Sequence, residues 1–289
     1  MKLQLVPARQ GVLWVRQGFQ VFFRQPVAFA GMFAAFLFAI FVFTLVPLLG
    51  SILLLAALPL ATLGFMIATR ASVEGRFPLP RAFVEPLRQG RPRAMAMLKL
   101  GLVYAATTFA IMWLSDVVDG GALDALMETL SSGKTTPEAV AQKLGDGRLE
   151  AGLLLRLGLA TLLSVPFWHA PALVHWDGQP WGKALFFSTV ACWRNRGAFT
   201  VYGLTWMAVI SLFAIMANLL FALLGQMKLI AFAAMPASLI FSTVFYASLY
   251  FTFADCFTAD DPGESTGGPE SSGTARLISD TTHTDKETP

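Results

Sequence analysis

The segment Pro166-Phe167-Trp168-His169-Ala170-Pro171 sets a titratable ring between two backbone breakers inside an apolar run. An imidazole can carry a proton or ligate a metal, and prolines five residues apart interrupt the helical ladder, which opens a cavity where neighbouring groups do not refill it. Pro166, His169 and Pro171 are therefore a candidate cavity. The plainer alternative is a lone histidine bonded to a nearby carbonyl. A second set is Arg16, Arg24, Arg88, Arg91, Arg93, Arg194 and Arg196, in the stretches that lead into apolar runs, several of which carry Phe or Trp. Arginines beside aromatic rings at a membrane surface bind anionic headgroups; the alternative is that they only fix depth and tilt.

Catalytic patterns are absent. The chain has no GxxxxGK[ST], HExxH or GxSxG run and no paired carboxylates within an apolar stretch. His169, His175 and His283 are too few and too separated for a metal site to be argued from spacing. The expectation is a non-enzyme with no cofactor and no metal. Cys192 and Cys256 match neither a metal nor a redox motif and read as reduced thiols.

Composition says what must position these residues. The 289 residues are 55% hydrophobic and 13% charged, with 25 Phe. A soluble domain carries about 25% charged residues, so this chain must use lipid as solvent. Most soluble enzymes are excluded. The net charge of +3 does not point to nucleic acid, because the charges fall mostly to one side of the apolar runs.

Six stretches are long enough to cross a hydrocarbon core of roughly 30 Å: Val27–Leu49, Ser51–Thr69, Ala94–Ser115, Ala151–Trp176, Ala198–Leu224 and Met227–Phe257. The first two, joined at Gly50, and the last two, joined at Gly225-Gln226, are tight hairpins. Thirteen Lys and Arg flank one side and four the other, which places both termini in the cytoplasm and loop 116–150 outside. That loop carries seven acids and two short helices, Ala122–Leu130 and Thr136–Leu144, the second capped by Thr136 ahead of Pro137. Residues 258–289, poor in apolar side chains, are expected to be a disordered cytoplasmic tail.

Within the spans, Lys99 and Arg156 are expected to snorkel to opposite interfaces. Asn218 reads as interhelical glue, and Asp255 as the partner of a basic residue at the cytoplasmic end.

The chain repeats. Displaced by 170 residues, Phe23-Arg24-Gln25-Pro26-Val27-Ala28-Phe29 lies over Trp193-Arg194-Asn195-Arg196-Gly197-Ala198-Phe199 with three identities. Each copy follows an amphipathic stretch, and a fainter middle copy runs from Phe83 through Arg88 to Arg91-Pro92. The unit is an interfacial helix, a basic turn and a pair of spans, over about 8–70, 80–176 and 180–257. The whole is an all-α, polytopic membrane bundle of six spans with three cytoplasmic interfacial helices.

With Phe167-Trp168-His169-Ala170-Pro171-Ala172-Leu173-Val174, Lys183-Ala184-Leu185-Phe186-Phe187-Ser188, Cys192-Trp193-Arg194-Asn195 and Tyr202-Gly203, the chain resembles an uncharacterised family of proteobacterial multi-pass inner-membrane proteins. More distantly it is similar to the membrane domains associated with glycerophosphodiester phosphodiesterases. The resemblance implies location and fold, with no activity and no catalytic residues to transfer. The expected function is a lipid-interacting or scaffold component acting through its basic collar, with anionic lipids as partners and a protein partner or second copy left open. The rival is a permease-like protein with a cavity near the broken fourth span.

Overall fold

Apolar runs of this length have no choice but to close every backbone hydrogen bond within themselves, and the computed structural model, which describes residues 1–47, 49–131, 143–226 and 229–258, is accordingly helical almost throughout. Helix α1 (Gln10–Arg24) leads into the hairpin α2 (Pro26–Thr44) and α3 (Gly50–Val73). Two short 3-10 turns, Pro80–Phe83 and Glu85–Arg88, precede α4 (Arg91–Asp119) and the short α5 (Ala122–Ser131). The chain returns through α6 (Gly147–Phe167) and α7 (Ala170–Trp176), then α8 (Trp181–Arg194) and the last hairpin, α9 (Arg196–Leu223) and α10 (Ile230–Cys256). Among the described residues six helices are long and apolar enough to cross a membrane, with α6 and α7 forming one broken span. Most of the expected second loop helix, with its cap Thr136, the start of the sixth span at Met227 and the tail beyond Thr258 lie outside the described residues.

The three leading segments are α1, the pair of 3-10 turns, and α8. The middle copy is not a continuous α-helix: Pro80 opens the first 3-10 turn, and Pro86, in the first turn of the second, withholds the N–H that would carry the first turn onward. Each leading segment packs on the second span of the unit before it: the 3-10 turns on α3, α8 on α6 and α7, and α1 on α10 and α9. The units thus close into a ring.

Packing explains where α1 goes. Gly11, Trp14, Val15, Gly18, Val21 and Phe22 recur at spacings of three and four and are all buried. A Cβ on Gly18 would lie 2.8 Å from the Ser248 Cβ, and one on Gly11 would overlap the Ala198 carbonyl oxygen, so backbones meet directly at both crossings. The helix is therefore clamped to the last hairpin by its apolar stripe, while Arg16 and Arg24 face outward. A two-residue antiparallel ladder, Lys2–Leu3 with Phe257–Thr258, ties the chain start to the end of α10.

Around the ring of spans, α10 packs on α3, α3 on α4, and α4 on α6. Along most of its length α6 does not pack closely on α9 or α10. That seam stays open.

Candidate functional site

The basic end holds two clefts of different character. Arg91 opens α4 with Pro92 in its first turn, after Gly90 turns the chain at φ 104°. Pro92, Met95, Ala96 and Lys99 follow at the spacing of one helix face and line a cleft of about 310 Å³ against Val174, Gly178, Gln179, Pro180 and Trp181. Arg93 sits at its rim, donating to the Gln89 Oε1 at 3.2 Å, and the Gln89 amide nitrogen lies 3.2 Å from the His175 Nε2. The lining holds two cations and no acid.

The second cleft, about 150 Å³, is lined by Arg70, Arg76 and Arg81 but also by Glu74 and Glu85, with His175 and Trp176 behind. Glu74 accepts from the Arg70 Nε at 2.9 Å and from Arg76. The two guanidiniums hold its carboxyl below the usual carboxylate range, and Arg70 stacks on the Trp176 ring at 5.7 Å. Here most of the positive charge already has a partner.

The broken fourth span positions a third site. Pro166 and Pro171 remove two ladder donors, and Ser188 of α8 stitches the break: its hydroxyl donates to the Val165 carbonyl at 3.0 Å and accepts from the His169 N–H at 2.9 Å. His169 lines neither of the two clefts at the basic end nor the spaces beside Trp168. Its side chain is fully buried against Phe199, Phe253 and Phe257, with Nε2 3.2 Å from the Thr252 hydroxyl, because the turn that frees its backbone also swings the ring into the aromatic core. Pro171 is buried in the same packing.

The space opens one turn earlier. A cavity of about 190 Å³ is lined by Thr62, Tyr104, Ser164, Phe167, Trp168 and Tyr246 among others. On the other side of Trp168 and Phe245, which belong to both walls, a groove of about 540 Å³ occupies the seam between α6 and α9. Trp168 is held there by donating to the Thr252 hydroxyl at 3.1 Å. Arg196 and Trp193 stand at the groove's basic end, with the guanidinium 5.7 Å from the Trp193 ring centroid. Cys192 lies in its wall, and burial pushes that thiol up to about 12.

All seven candidate arginines are exposed. Arg93 and Arg196 line clefts; Arg16, Arg24, Arg88, Arg91 and Arg194 stand on separate parts of the basic end. Three expectations change. Arg156 is held by the Asp116 carboxylate at 2.5 Å, an ion pair between α6 and α4 rather than a free snorkelling cation. Asn218 donates to the Ala214 carbonyl of its own helix and is exposed, so among the described residues it bonds to no second helix. Asp255 accepts from Trp14 and Gln10, so its partners on α1 are neutral donors instead of a basic residue. Lys99 lines a cleft although its sequence reads only as a snorkelling cation, and its stripe with Pro92, Met95 and Ala96 is visible there; nothing local marks the groove at Gly203.

The chain is 36% identical over 264 residues, 91% of its length and 96% of the relative's, to a probable inner membrane protein of Burkholderia thailandensis. No family model matches the chain, and no solved structure is similar to it.

Proposed function

This chain belongs to the family of that Burkholderia thailandensis inner membrane protein, and on that premise we propose that it is a non-enzymatic, lipid-interacting component of a bacterial inner membrane whose basic end holds anionic phospholipid. The observation that carries the reading is the cleft of Arg93 and Lys99: two cations, no acid, an apolar floor of Met95 and Val174, and Trp181 beside them. Lys99 lies eight residues into α4, about 12 Å along its axis, where an ammonium reaches up toward the headgroup layer. A phosphodiester between it and Arg93 would satisfy both. The cleft bordered by Glu74 suits an anion less, since its arginines are already engaged.

Orientation follows the same reading. The excess of Lys and Arg at this end puts it, with both termini, on the cytoplasmic side, where anionic lipid attracts each basic residue by about 1 kcal/mol. The distant likeness to membrane domains that accompany glycerophosphodiester phosphodiesterases fits a protein that meets phospholipid headgroups. A permease-like reading rests on the cavity beside Trp168, but no charged side chain lines it, so nothing there selects an ionic solute.

The test is native mass spectrometry of the protein with phosphatidylglycerol or phosphatidylcholine. Arg93→Gln with Lys99→Gln should weaken phosphatidylglycerol binding by about thirtyfold, the loss of two contacts of about 1 kcal/mol each, and weaken phosphatidylcholine much less, because its choline already offsets the phosphate charge. Equal binding before and after would remove the proposal's main support.

A further inference from the structure

The seam between α6 and α9 is built as well as left open. Helices elsewhere in the ring of spans pack on one another, whereas here Ser164 and Val165 on one side and Phe199, Thr200, Gly203 and Trp206 on the other face a gap floored by Phe245. Gly203 makes the room: a Cβ built on it meets nothing within 4 Å, unlike Gly11 or Gly18, where bare backbone allows helices to touch. The gap lies between two helices long and apolar enough to cross a membrane, so the surrounding bilayer is the nearest source of an apolar occupant.

Its length and charge select the occupant. From Arg196 to Trp206 is ten residues, about 15 Å of helix, which is half of a hydrocarbon core of roughly 30 Å. That is the depth of one leaflet. The deep end is closed by indole and phenyl rings, and the shallow end carries the Arg196 guanidinium at the first residue of α9, where the helix dipole adds positive potential. Among the described residues no carboxylate pairs with Arg196; its one recorded partner is the Trp193 ring.

We infer that this groove is a binding site for one acyl chain of an anionic phospholipid from the leaflet at the basic end, with the phosphate on Arg196. The inference rests on the lipid reading above but uses none of the residues of the Arg93–Lys99 cleft, so each can fail without the other. The chain lies between α6 and α9 and supplies the packing that the two helices do not give each other. Trp168, pinned by Thr252, separates it from the inner cavity.

The experiment uses the full chain in nanodiscs containing phosphatidylglycerol with a photoactivatable diazirine midway along one acyl chain, and maps the cross-linked residues by mass spectrometry. Cross-links should concentrate on Val165, Phe199 and Trp206. Gly203→Phe, at a position where a Cβ meets nothing within 4 Å, puts a ring into the groove and should cut these cross-links at least tenfold, while Gly203→Ala, which leaves the groove open, should keep them. Arg196→Gln, on an exposed residue whose loss cannot unfold the bundle, should weaken them about fivefold, while Arg93→Gln with Lys99→Gln leaves them in place. A phosphatidylcholine probe should label the groove correspondingly less. Labelling spread evenly over the outer faces of α2 and α9 and indifferent to Gly203→Phe and Arg196→Gln would mean ordinary boundary lipid and overturn the inference, as would a helix-sized protein cross-linked there instead. Equal labelling by the two headgroups would overturn the assignment of Arg196.

Discussion

The carboxylate of Asp255, at the end of α10, accepts the indole N–H of Trp14 at 2.7 Å across 241 residues of sequence. Gln10 donates to the same oxygen at 2.5 Å. Trp14 is fully buried among Phe199 and Tyr202, and an indole N–H in such packing requires an acceptor. One carboxylate therefore joins the first helix to the last and closes the ring of three units.

Asp255→Ala should lower stability by about 2–3 kcal/mol, the loss expected when donors to a charged group are left unpaired, as read by thermal unfolding in detergent. Asp255→Asn keeps an acceptor and should recover at least half of that loss. An alanine variant as stable as the parent would show that the α1 stripe alone fastens the ring.

Glycines at different places should respond with opposite sign. Gly11→Ala pushes α1 off the backbone of α9 and should destabilise by about 1–3 kcal/mol, in the range of overpacked cores. Gly203→Ala meets open space and removes a helix-disfavouring glycine, so it should be neutral or stabilise by up to about 1 kcal/mol. Paired unfolding curves check both.

Cys192 carries the clearest pH signature. Its thiol, ordinarily titrating near 9, is pushed up to about 12 by burial, against a smaller opposing effect of the hydrogen bond with Ser188. A raised acid pKa means that folding favours the neutral thiol. The stability this contributes is complete below pH 9 and is lost progressively as pH climbs from 9 toward 12. Cys192→Ser should flatten that alkaline loss, and a maleimide should label the native thiol at pH 7.5 far more slowly than the unfolded one.

Glu74 predicts an acid-side effect. Because its carboxyl titrates below 4.5, the contacts with Arg76 and Arg70 hold above that range and are lost as pH falls through the lowered value. Arginines released this way become available to phosphate, so binding to phosphatidylglycerol vesicles should strengthen on acidification. Glu74→Gln should show the stronger binding at neutral pH and lose the pH dependence; weaker binding in this variant would contradict the assignment.

The six spans, both hairpins and the break in the fourth span are legible because each is written locally, as an apolar run, a glycine or a proline pair. The fate of α1 is not. Its stripe of Gly11, Trp14, Val15, Gly18, Val21 and Phe22 suits a headgroup layer as well as a helix groove, and only the match of bare backbone at Gly11 and Gly18 with α9 and α10 decides. His169 misleads for a related reason: proline breaks predict freed backbone, but whether a cavity or a core fills in depends on Ser188 from another helix. The arginines are visible by type, yet what distinguishes Arg93 from Arg70 is the absence of an acid in the cleft it lines, and the site proposed at Arg196 depends on a missing side chain at Gly203.

The most direct measurement of the central claim is cysteine accessibility in intact cells, with a membrane-impermeant maleimide added from outside. Cys192 and Cys256 are both buried and give little background, so Asp124→Cys reports on α5 and Leu87→Cys on the basic end. With the arginines bathing in the inner leaflet, Asp124→Cys labels in intact cells and Leu87→Cys labels only after the membrane is opened. The reverse pattern would turn the basic end outward and contradict the account.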